Sequence, residues 1–307
     1  MVAAMTQPWS GSGEVLTPVV TVGAFADLQR TRALGIDRVG NLWCAADAGL
    51  VRFDGSALAR FGFAEPFAVT GIAPGPEGVV YLATHEGLLR FASGEFTRFR
   101  AAGDRPLTAI ATNPGGDAYM LALERLTQAR HVLAFDGHAV REVLPGVEFP
   151  PGLEITSLGF DAAGQLVIGA IGALALHDGD TWKVFRGLDR SSTFAPAIDA
   201  VASGPGVLWL GTPAGVYEYR DRTFALHRTE RPVACLCADG DEVWIGMRAG
   251  GLGRLRAGEL SVLQPGGTLL PHEDVTALVR GTDGRTWLLA GGEVAFIRDG
   301  EIERLPP

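Results

Sequence analysis

Cysteine and lysine are scarce in this chain. Its 307 residues include three cysteines, Cys44, Cys235 and Cys237. An odd number without the regular spacing of a disulfide framework excludes a disulfide scaffold. Cys235 and Cys237 occupy alternate positions of a predicted strand, and we interpret all three as small buried apolar residues. Lys183 is the one lysine beside 25 arginines, a bias that reflects a GC-rich genome better than an arginine-specific chemistry.

Long apolar runs are missing as well. No window of about 18 apolar residues is present, so no membrane span is predicted. The first residues, MVAAMTQPWSGSGEV, lack the basic start and continuous apolar stretch of a secretory leader, and we expect a cytoplasmic location. The formal net charge of −9 predicts repulsion from phosphate backbones, so nucleic acid is not expected as a partner.

Glycine, in contrast, is in excess. The chain has 42 glycines, about twice the usual share of roughly 7%. Hydrophobic residues make up 47% of the chain, which excludes a mainly disordered polypeptide, and the absence of a G-X-Y period excludes collagen. The composition therefore predicts a fold with many tight turns.

A pattern of short strands and glycine-containing turns recurs seven times. The units cover residues 34–55, 71–94, 109–137, 157–179, 200–221, 235–258 and 277–300. The second strand of each unit carries a large anchor residue: Trp43, Tyr81, Tyr119, Val167, Trp209, Trp244 and Trp287. The anchors follow one another at a mean spacing of about 41 residues, the length of a four-stranded propeller blade.

The unit predicts the role of each strand. The first holds small residues, which suit a strand crowded against a central axis; the second holds the anchor; the fourth is more polar, as an outer edge should be. We therefore predict an all-β, seven-bladed β-propeller with four antiparallel strands per blade. Residues 15–307 are predicted to form one domain after a flexible lead, residues 1–14. We expect residues 15–24 to pair beside the last blade and latch the ring.

Three irregular connections point to one face of this ring. Residues 121–131, which have helical propensity, lie between the second and third strands of a unit, and residues 143–154 and 187–196 lie between units. In a propeller these two kinds of connection share a face, and binding residues concentrate on such loops. The predicted partner- or ligand-binding residues there are Asp47, His85, Glu86, Glu124, Arg125, Phe149, Phe194 and Arg248. Phe149, Phe194, Arg125 and Arg248 are the expected anchors, because aromatic and arginine side chains dominate interface energetics.

Two stretches carry a family resemblance. Gly40-Asn41-Leu42-Trp43 followed by Gly49-Leu50-Val51-Arg52-Phe53-Asp54-Gly55 resembles the two-component-regulator propeller repeat, and residues 270–278 with residues 283–287 are similar to the opening of that repeat. In that family such propellers are non-catalytic sensing or interaction modules. The resemblance therefore implies a recognition scaffold for a protein, peptide or small ligand, acting as the regulatory partner of a separately encoded protein.

Catalytic signatures are weak. The six histidines are dispersed without a metal-binding motif, and we predict no catalytic residue, no metal and no cofactor. Asp47, His85 and Glu86 could form a metal site or an acid–base pair at the mouth of the ring, but a solvated polar rim is the favoured interpretation. The alternative function is a metal-dependent lyase or hydrolase similar to the streptogramin lyases and the gluconolactonase-like hydrolases. A third is a structural subunit of an assembly.

Overall fold

The computed structural model describes residues 13–47, 49–64, 67–100, 105–143, 153–187, 196–263 and 270–305. These residues form thirty strands and one short 3-10 turn, Phe25–Leu28. The strands make seven antiparallel sheets around a ring. The predicted all-β, seven-bladed β-propeller with four strands per blade is confirmed.

Two strands precede the blades, and the blades follow one another along the chain. The leading strands are β1 (Glu14–Leu16) and β2 (Val19–Val22). Blade 1 contains β3 (Ala33–Ile36), β4 (Leu42–Ala46), β5 (Gly49–Phe53) and β6 (Leu58–Gly62); blade 2 contains β7 (Val69–Pro74), β8 (Val80–Thr84), β9 (Gly87–Ala92) and β10 (Glu95–Phe99). Blade 3 contains β11 (Leu107–Thr112), β12 (Ala118–Leu123), β13 (Arg130–Phe135) and β14 (Val140–Glu142); blade 4 contains β15 (Ile155–Phe160), β16 (Leu166–Ala170), β17 (Ala173–His177) and β18 (Trp182–Arg186).

The remaining blades follow the same order. Blade 5 contains β19 (Ala200–Gly204), β20 (Val207–Thr212), β21 (Gly215–Arg220) and β22 (Thr223–Arg228). Blade 6 contains β23 (Val233–Asp239), β24 (Glu242–Met247), β25 (Gly251–Arg256) and β26 (Glu259–Leu263), and blade 7 contains β27 (Val275–Arg280), β28 (Thr286–Ala290), β29 (Glu293–Arg298) and β30 (Glu301–Arg304). In each blade the first strand is the inner strand and the fourth is the outer strand.

The inner strands pack side by side around the axis, and the last of them, β27, packs against the first, β3. Small residues make this approach possible. A Cβ built on Gly35 of β3 would lie 2.5 Å from Cγ2 of Ile72 on the neighbouring inner strand, a distance that real Cβ atoms do not show. The prediction that small residues line the axis because of crowding is confirmed at this position.

The expected latch between the leading strand and the last blade is wrong. Strand β2 pairs antiparallel with β6, the outer strand of blade 1, and β1 pairs antiparallel with β10, the outer strand of blade 2. Both leading strands therefore extend a blade from four strands to five. Because every outer strand offers a similar open edge, the sequence pattern does not distinguish which blade receives the extra strand.

The ring closes between blades 7 and 1 through side chains. Trp287 and Leu289 of β28 belong to one buried cluster with Leu34 and Leu42 of blade 1. The rings of Phe53 and Trp287 meet edge to face, with centroids 6.1 Å apart. A backbone hydrogen bond from Thr31 N–H to the carbonyl of Gly292, 3.0 Å long, joins the two sides. Burial of these large apolar groups replaces a shared sheet at this seam.

The predicted anchors lie on the second strands of their blades. Trp43 is fully buried, and its indole N–H donates a 2.9 Å hydrogen bond to Asp37 Oδ2.

The helical segment expected within residues 121–131 is a single turn. In this turn the Gln128 N–H donates to the Glu124 carbonyl at 2.8 Å, and β13 begins shortly after it at Arg130. Six residues between two paired strands leave no room for a longer helix.

The cysteines have the structural role that was predicted, and two of the histidines contact neighbouring side chains. Cys44 and Cys237 are buried, Cys235 is partly buried, and none is in a disulfide. Burial raises the pKa of all three thiols, which keeps them protonated and unreactive. His177 packs against the ring of Trp182, and His227 Nε2 lies 3.1 Å from Glu218 Oε2.

Candidate recognition site on the loop face

The loop face is the side of the ring that carries the loops between second and third strands and the connections between blades. Backbone hydrogen bonds tie these two kinds of segment together within a blade. The Leu123 N–H donates to the Pro106 carbonyl at 2.9 Å, the Arg248 N–H to the Pro232 carbonyl at 3.0 Å, and the Gly291 N–H to the Asp274 carbonyl at 3.0 Å. The sheets therefore fix the positions from which loop side chains project.

Asp47, in the first blade, is held by arginines. Its carboxylate lies 2.6 Å from Nη2 of Arg32 and 3.6 Å from Nη1 of Arg30. These partners come from the segment that enters blade 1, which sequence spacing alone does not show. Asp47 is consequently part of a charged pair at the rim of the loop face.

His85 and Glu86 form the tip of the matching loop in blade 2, and both are exposed. Buried Thr84 shapes this loop, because its hydroxyl donates to the Gly87 carbonyl at 2.8 Å and accepts from the Glu86 N–H at 3.1 Å. No hydrogen bond or ion pair joins His85 or Glu86 to Asp47 within the described residues.

Glu124 and Arg125 lie in the longer loop of blade 3. The Glu124 carboxylate accepts a 3.2 Å hydrogen bond from Nε of Arg105, while the Arg125 side chain is exposed. The predicted aromatic anchors Phe149 and Phe194 lie outside the described residues. Of the four expected anchors, Arg125 and Arg248 are therefore the two that belong to the described residues.

Arg248 projects from a well-braced loop of blade 6. Besides the bond to Pro232, the Ala249 N–H next to Arg248 donates to Asp274 Oδ1 at 2.6 Å, and the Gly251 N–H donates to the Glu273 carbonyl at 2.8 Å. These bonds fasten the loop to the connection that leads into blade 7. The guanidinium of Arg248 is exposed on this rigid support, which lowers the entropic cost of engaging a ligand.

Asp199 and Arg130 join Arg248, and sequence reasoning did not find them. Partial loss of water around the carboxylate raises the pKa of Asp199, although much of this side chain remains open to solvent, and the positive charges of Arg248 and Arg130 act in the opposite direction. Arg130 Nη1 is itself fixed by a 2.6 Å hydrogen bond to the Ile155 carbonyl. Blades 3, 5 and 6 thus bring two cations and one carboxylate within electrostatic reach of each other.

One signal in the sequence could have pointed to Asp199. It directly precedes the inner strand β19, and a residue at that position of a blade lies where the central channel opens onto the loop face. Arg130 gives no such signal, since its position at the start of β13 follows only from the length of the loop before it.

A metal site is not evident in the described residues. Within the ranges that the structure describes, no group of three or more histidine, cysteine, aspartate or glutamate side chains lies in a position to hold a metal ion. Asp47, His85 and Glu86 therefore do not come together as a three-ligand group. Nor does any helix of the described part have the length and apolarity to cross a membrane.

Comparisons with known proteins identify the fold. No protein-family model matches the chain, and no curated protein matches it. Among solved structures, it is similar to the extracellular domain of the two-component system BT4673 from B. thetaiotaomicron, with a TM-score of 0.68 and 15% identity over 94% of this chain. That match covers 40% of the other chain, so this chain spans about two-fifths of its length.

Two other similar structures are covered almost completely. Virginiamycin B lyase from Staphylococcus aureus, as a catalytically inactive variant with quinupristin, has a TM-score of 0.68 and 12% identity over 91% of this chain and 98% of the lyase. YCF48 bound to a D1 peptide has a TM-score of 0.64 and 10% identity over 88% of this chain and 93% of YCF48. At these identities the likeness shows a shared propeller fold, one that occurs in the extracellular domain of a two-component system, in a lyase and in a protein bound to a peptide.

Proposed function

We propose that this protein is a non-catalytic recognition propeller that binds a polypeptide partner at its loop face. The partner presents an acidic side chain or carboxylate to the mouth of the ring. The support for this proposal is the pair of exposed arginines on the loop face, Arg125 and Arg248, of which Arg248 lies on a loop braced by backbone hydrogen bonds and within electrostatic reach of Asp199. Arginines held on rigid loops can bind a carboxylate in bidentate geometry.

The net charge of the whole chain supports a role for the loop-face arginines in binding. With a net charge of −9, the protein repels acidic partners except where arginines concentrate. Arg125 and Arg248 are exposed and form no ion pair with another described residue, so both are available to a partner. An acidic segment would therefore be directed to the loop face by local attraction.

Charge reversal of the two arginines tests the proposal. We expect Arg125→Glu with Arg248→Glu to reduce binding at least about tenfold, because each change replaces attraction to an acidic partner by repulsion. The partner is first captured from the source cells with the wild-type protein and identified by mass spectrometry. Its affinity is then measured with purified components by isothermal titration calorimetry.

A matched control places the same charge change away from the loop face. Lys183 on the outer strand β18 and Arg222 in the turn before β22 are both exposed, and the Lys183→Glu, Arg222→Glu variant alters net charge equally. We expect the control to bind like the wild type. Unchanged affinity of the Arg125, Arg248 variant would contradict the proposal, and equal loss in both variants would assign binding to net charge alone.

The structural likeness to virginiamycin B lyase over nearly the whole of both chains favours a second candidate. It is a metal-dependent lyase or hydrolase whose site lies at the same mouth. Titration of the full chain with Mg²⁺, Mn²⁺ and Zn²⁺, followed by calorimetry, tests this candidate. Stoichiometric binding that is lost on substitution of His85 and Glu86 by alanine would favour the enzyme over the recognition scaffold.

A further inference from the structure

The outer strand of blade 6, β26, differs in charge from those of the neighbouring blades. The outer strands of blades 3, 4, 5 and 7 each carry basic residues, namely Arg141, Lys183, Arg186, Arg228 and Arg304. Strand β26 reads ELSVL, with Glu259 at its first position as its single charge. Charged side chains, lysine above all, disfavour pairing of an exposed edge with another strand. They do not prevent it, because β6 and β10, which carry Arg60 and Arg98, each accept a leading strand. Four of the five residues of β26 lack this protection.

An exposed apolar side chain lies on the same strand. Val262 is 44% exposed. In the described part of the chain, no other fourth strand of a blade carries a strongly exposed large apolar residue, although the added strands β1 and β2 do. Within the described residues, the outer edge of β26 pairs with no strand, so its backbone groups on that side have no strand partner there. An edge whose single charge lies at its first position and which exposes a valine favours the addition of a strand.

A groove of about 560 Å³ lies beside this edge. Leu260 and Val262, which alternate along β26 and so share a face, line it together with buried Met247. The residues at its rim are charged: Arg228, Glu230 and Arg231 from the end of blade 5, and Glu273 from the connection to blade 7. None of these four side chains forms an ion pair with another described residue, so their charges are available to a bound segment.

The same molecule already shows how such an edge is used. Strand β2 adds antiparallel to the outer strand β6, and all four of its side chains remain exposed. Strand β1 adds to β10 in the same sense. Backbone pairing therefore holds a fifth strand on an outer edge of this propeller even where the added side chains bury little surface.

We propose that an extended segment of a partner polypeptide adds antiparallel to β26 as the fifth strand of blade 6. The segment places β-branched apolar side chains against Leu260 and Val262, and a flanking carboxylate binds the free guanidinium groups of Arg228 and Arg231. The groove borders the loop of Arg248 through Ala249 and Gly250, but the proposed contacts use neither Arg125 nor Arg248. It therefore extends beyond the recognition proposed for the mouth and does not depend on it.

A peptide with the sequence of residues 13–23, GEVLTPVVTVG, is the probe, because this segment forms both added strands and contains valines and a glutamate. We expect a fluorescein-labelled peptide to bind the full chain saturably, as measured by anisotropy. Val262→Lys should weaken binding at least about fivefold, because a charge at this position opposes strand addition. The same peptide with Val20 replaced by proline should not bind, because proline has no backbone N–H to donate to the neighbouring strand.

The matched control is Ala225→Lys, which adds the same charge at an exposed position of the outer strand of blade 5 and should leave binding unchanged. A photoreactive group on the peptide should label residues 259–263. Absence of saturable binding to the wild type, equal binding to Val262→Lys, or labelling confined to other strands would each overturn the proposal. Loss of peptide binding in the Arg125→Glu, Arg248→Glu variant would also overturn it, because the peptide would then occupy the mouth, and the proposed function would survive.

Discussion

The hydrogen bond between Trp43 and Asp37 shows how one residue supports an anchor. Asp37 is 4% exposed, and its Oδ2 accepts from the Trp43 indole and from Asn41 Nδ2, while its Oδ1 accepts from the backbone N–H groups of Val39 and Asn41. A single carboxylate thus satisfies the indole of the second strand and the turn that leads to it. Buried donors of this kind are costly to leave without an acceptor.

Blade 5 shows why the hydrogen bond to the anchor indole could not be predicted from the repeated sequence pattern. Gly204 occupies the position that corresponds to Asp37, and a Cβ there would lie 2.6 Å from the carbonyl oxygen of Gly240. The contact with the next blade excludes an aspartate, and the indole N–H of Trp209 has no hydrogen-bond partner in the described residues. The anchors were predictable from their spacing, whereas their polar partners depend on how closely adjacent turns approach.

We expect Asp37→Ala to lower the free energy of unfolding by about 3 kcal/mol, because it removes four hydrogen bonds and leaves a buried indole N–H unsatisfied. Urea unfolding followed by tryptophan fluorescence measures this loss. The control is Asp54→Ala, whose carboxylate accepts from Ser56 and Ala57 in an exposed turn. A much smaller loss is expected there, and equal losses would show that burial of Asp37 contributes nothing.

The leading strands show how strand pairing can escape sequence reasoning. Residues 15–24 were expected to form one strand beside the last blade, and the structure has two strands there, β1 and β2, on other blades. The partner had to be chosen among seven outer edges. The structure assigns it to two of them, with the short Thr17-Pro18 step carrying the chain from blade 2 to blade 1. Arg130, Asp199 and Arg248 presented the same difficulty, since the arrangement of blades 3, 5 and 6 in the ring brings their charges within electrostatic reach of each other. The local sequence pattern predicts the strands, whereas the geometry of the ring determines which strands and side chains become neighbours.

Deletion of residues 1–23 tests the assignment of the leading strands. We expect the ring to remain folded and the free energy of unfolding to fall by only about 1–2 kcal/mol, because Leu16 is the leading-strand residue that packs into a buried cluster and burial of one such side chain contributes about that much. Far-UV circular dichroism and the thermal midpoint measure the effect. Loss of the folded state would indicate a latch across the seam after all.

At the scale of the whole molecule, the seam between blades 7 and 1 differs from the other six junctions. Elsewhere, a chain connection leads from the outer strand of one blade to the inner strand of the next, whereas no described segment joins blade 7 to blade 1 in this way. The leading strands join blade 1 to blade 2 and add nothing between blades 7 and 1. Side-chain packing around Trp287 and Leu289, with the Thr31 to Gly292 hydrogen bond, therefore carries closure. We therefore expect local unfolding to begin at the seam between blades 7 and 1, where no chain connection between the blades holds the contacts together.

A pair of matched core substitutions separates this seam from an ordinary junction. Leu289, 1% exposed, lies at the seam, and Leu210, 0% exposed, lies in the cluster between blades 4 and 5. Each change to alanine should cost about 2–5 kcal/mol of global stability. Native-state hydrogen exchange should differ, because Leu289→Ala should accelerate exchange in β3 and β27 at denaturant concentrations that leave blades 3–5 protected. Leu210→Ala should instead accelerate exchange through global unfolding. Equal protection of β3 and β27 in the two variants would show that side-chain packing closes the seam as firmly as a chain connection does.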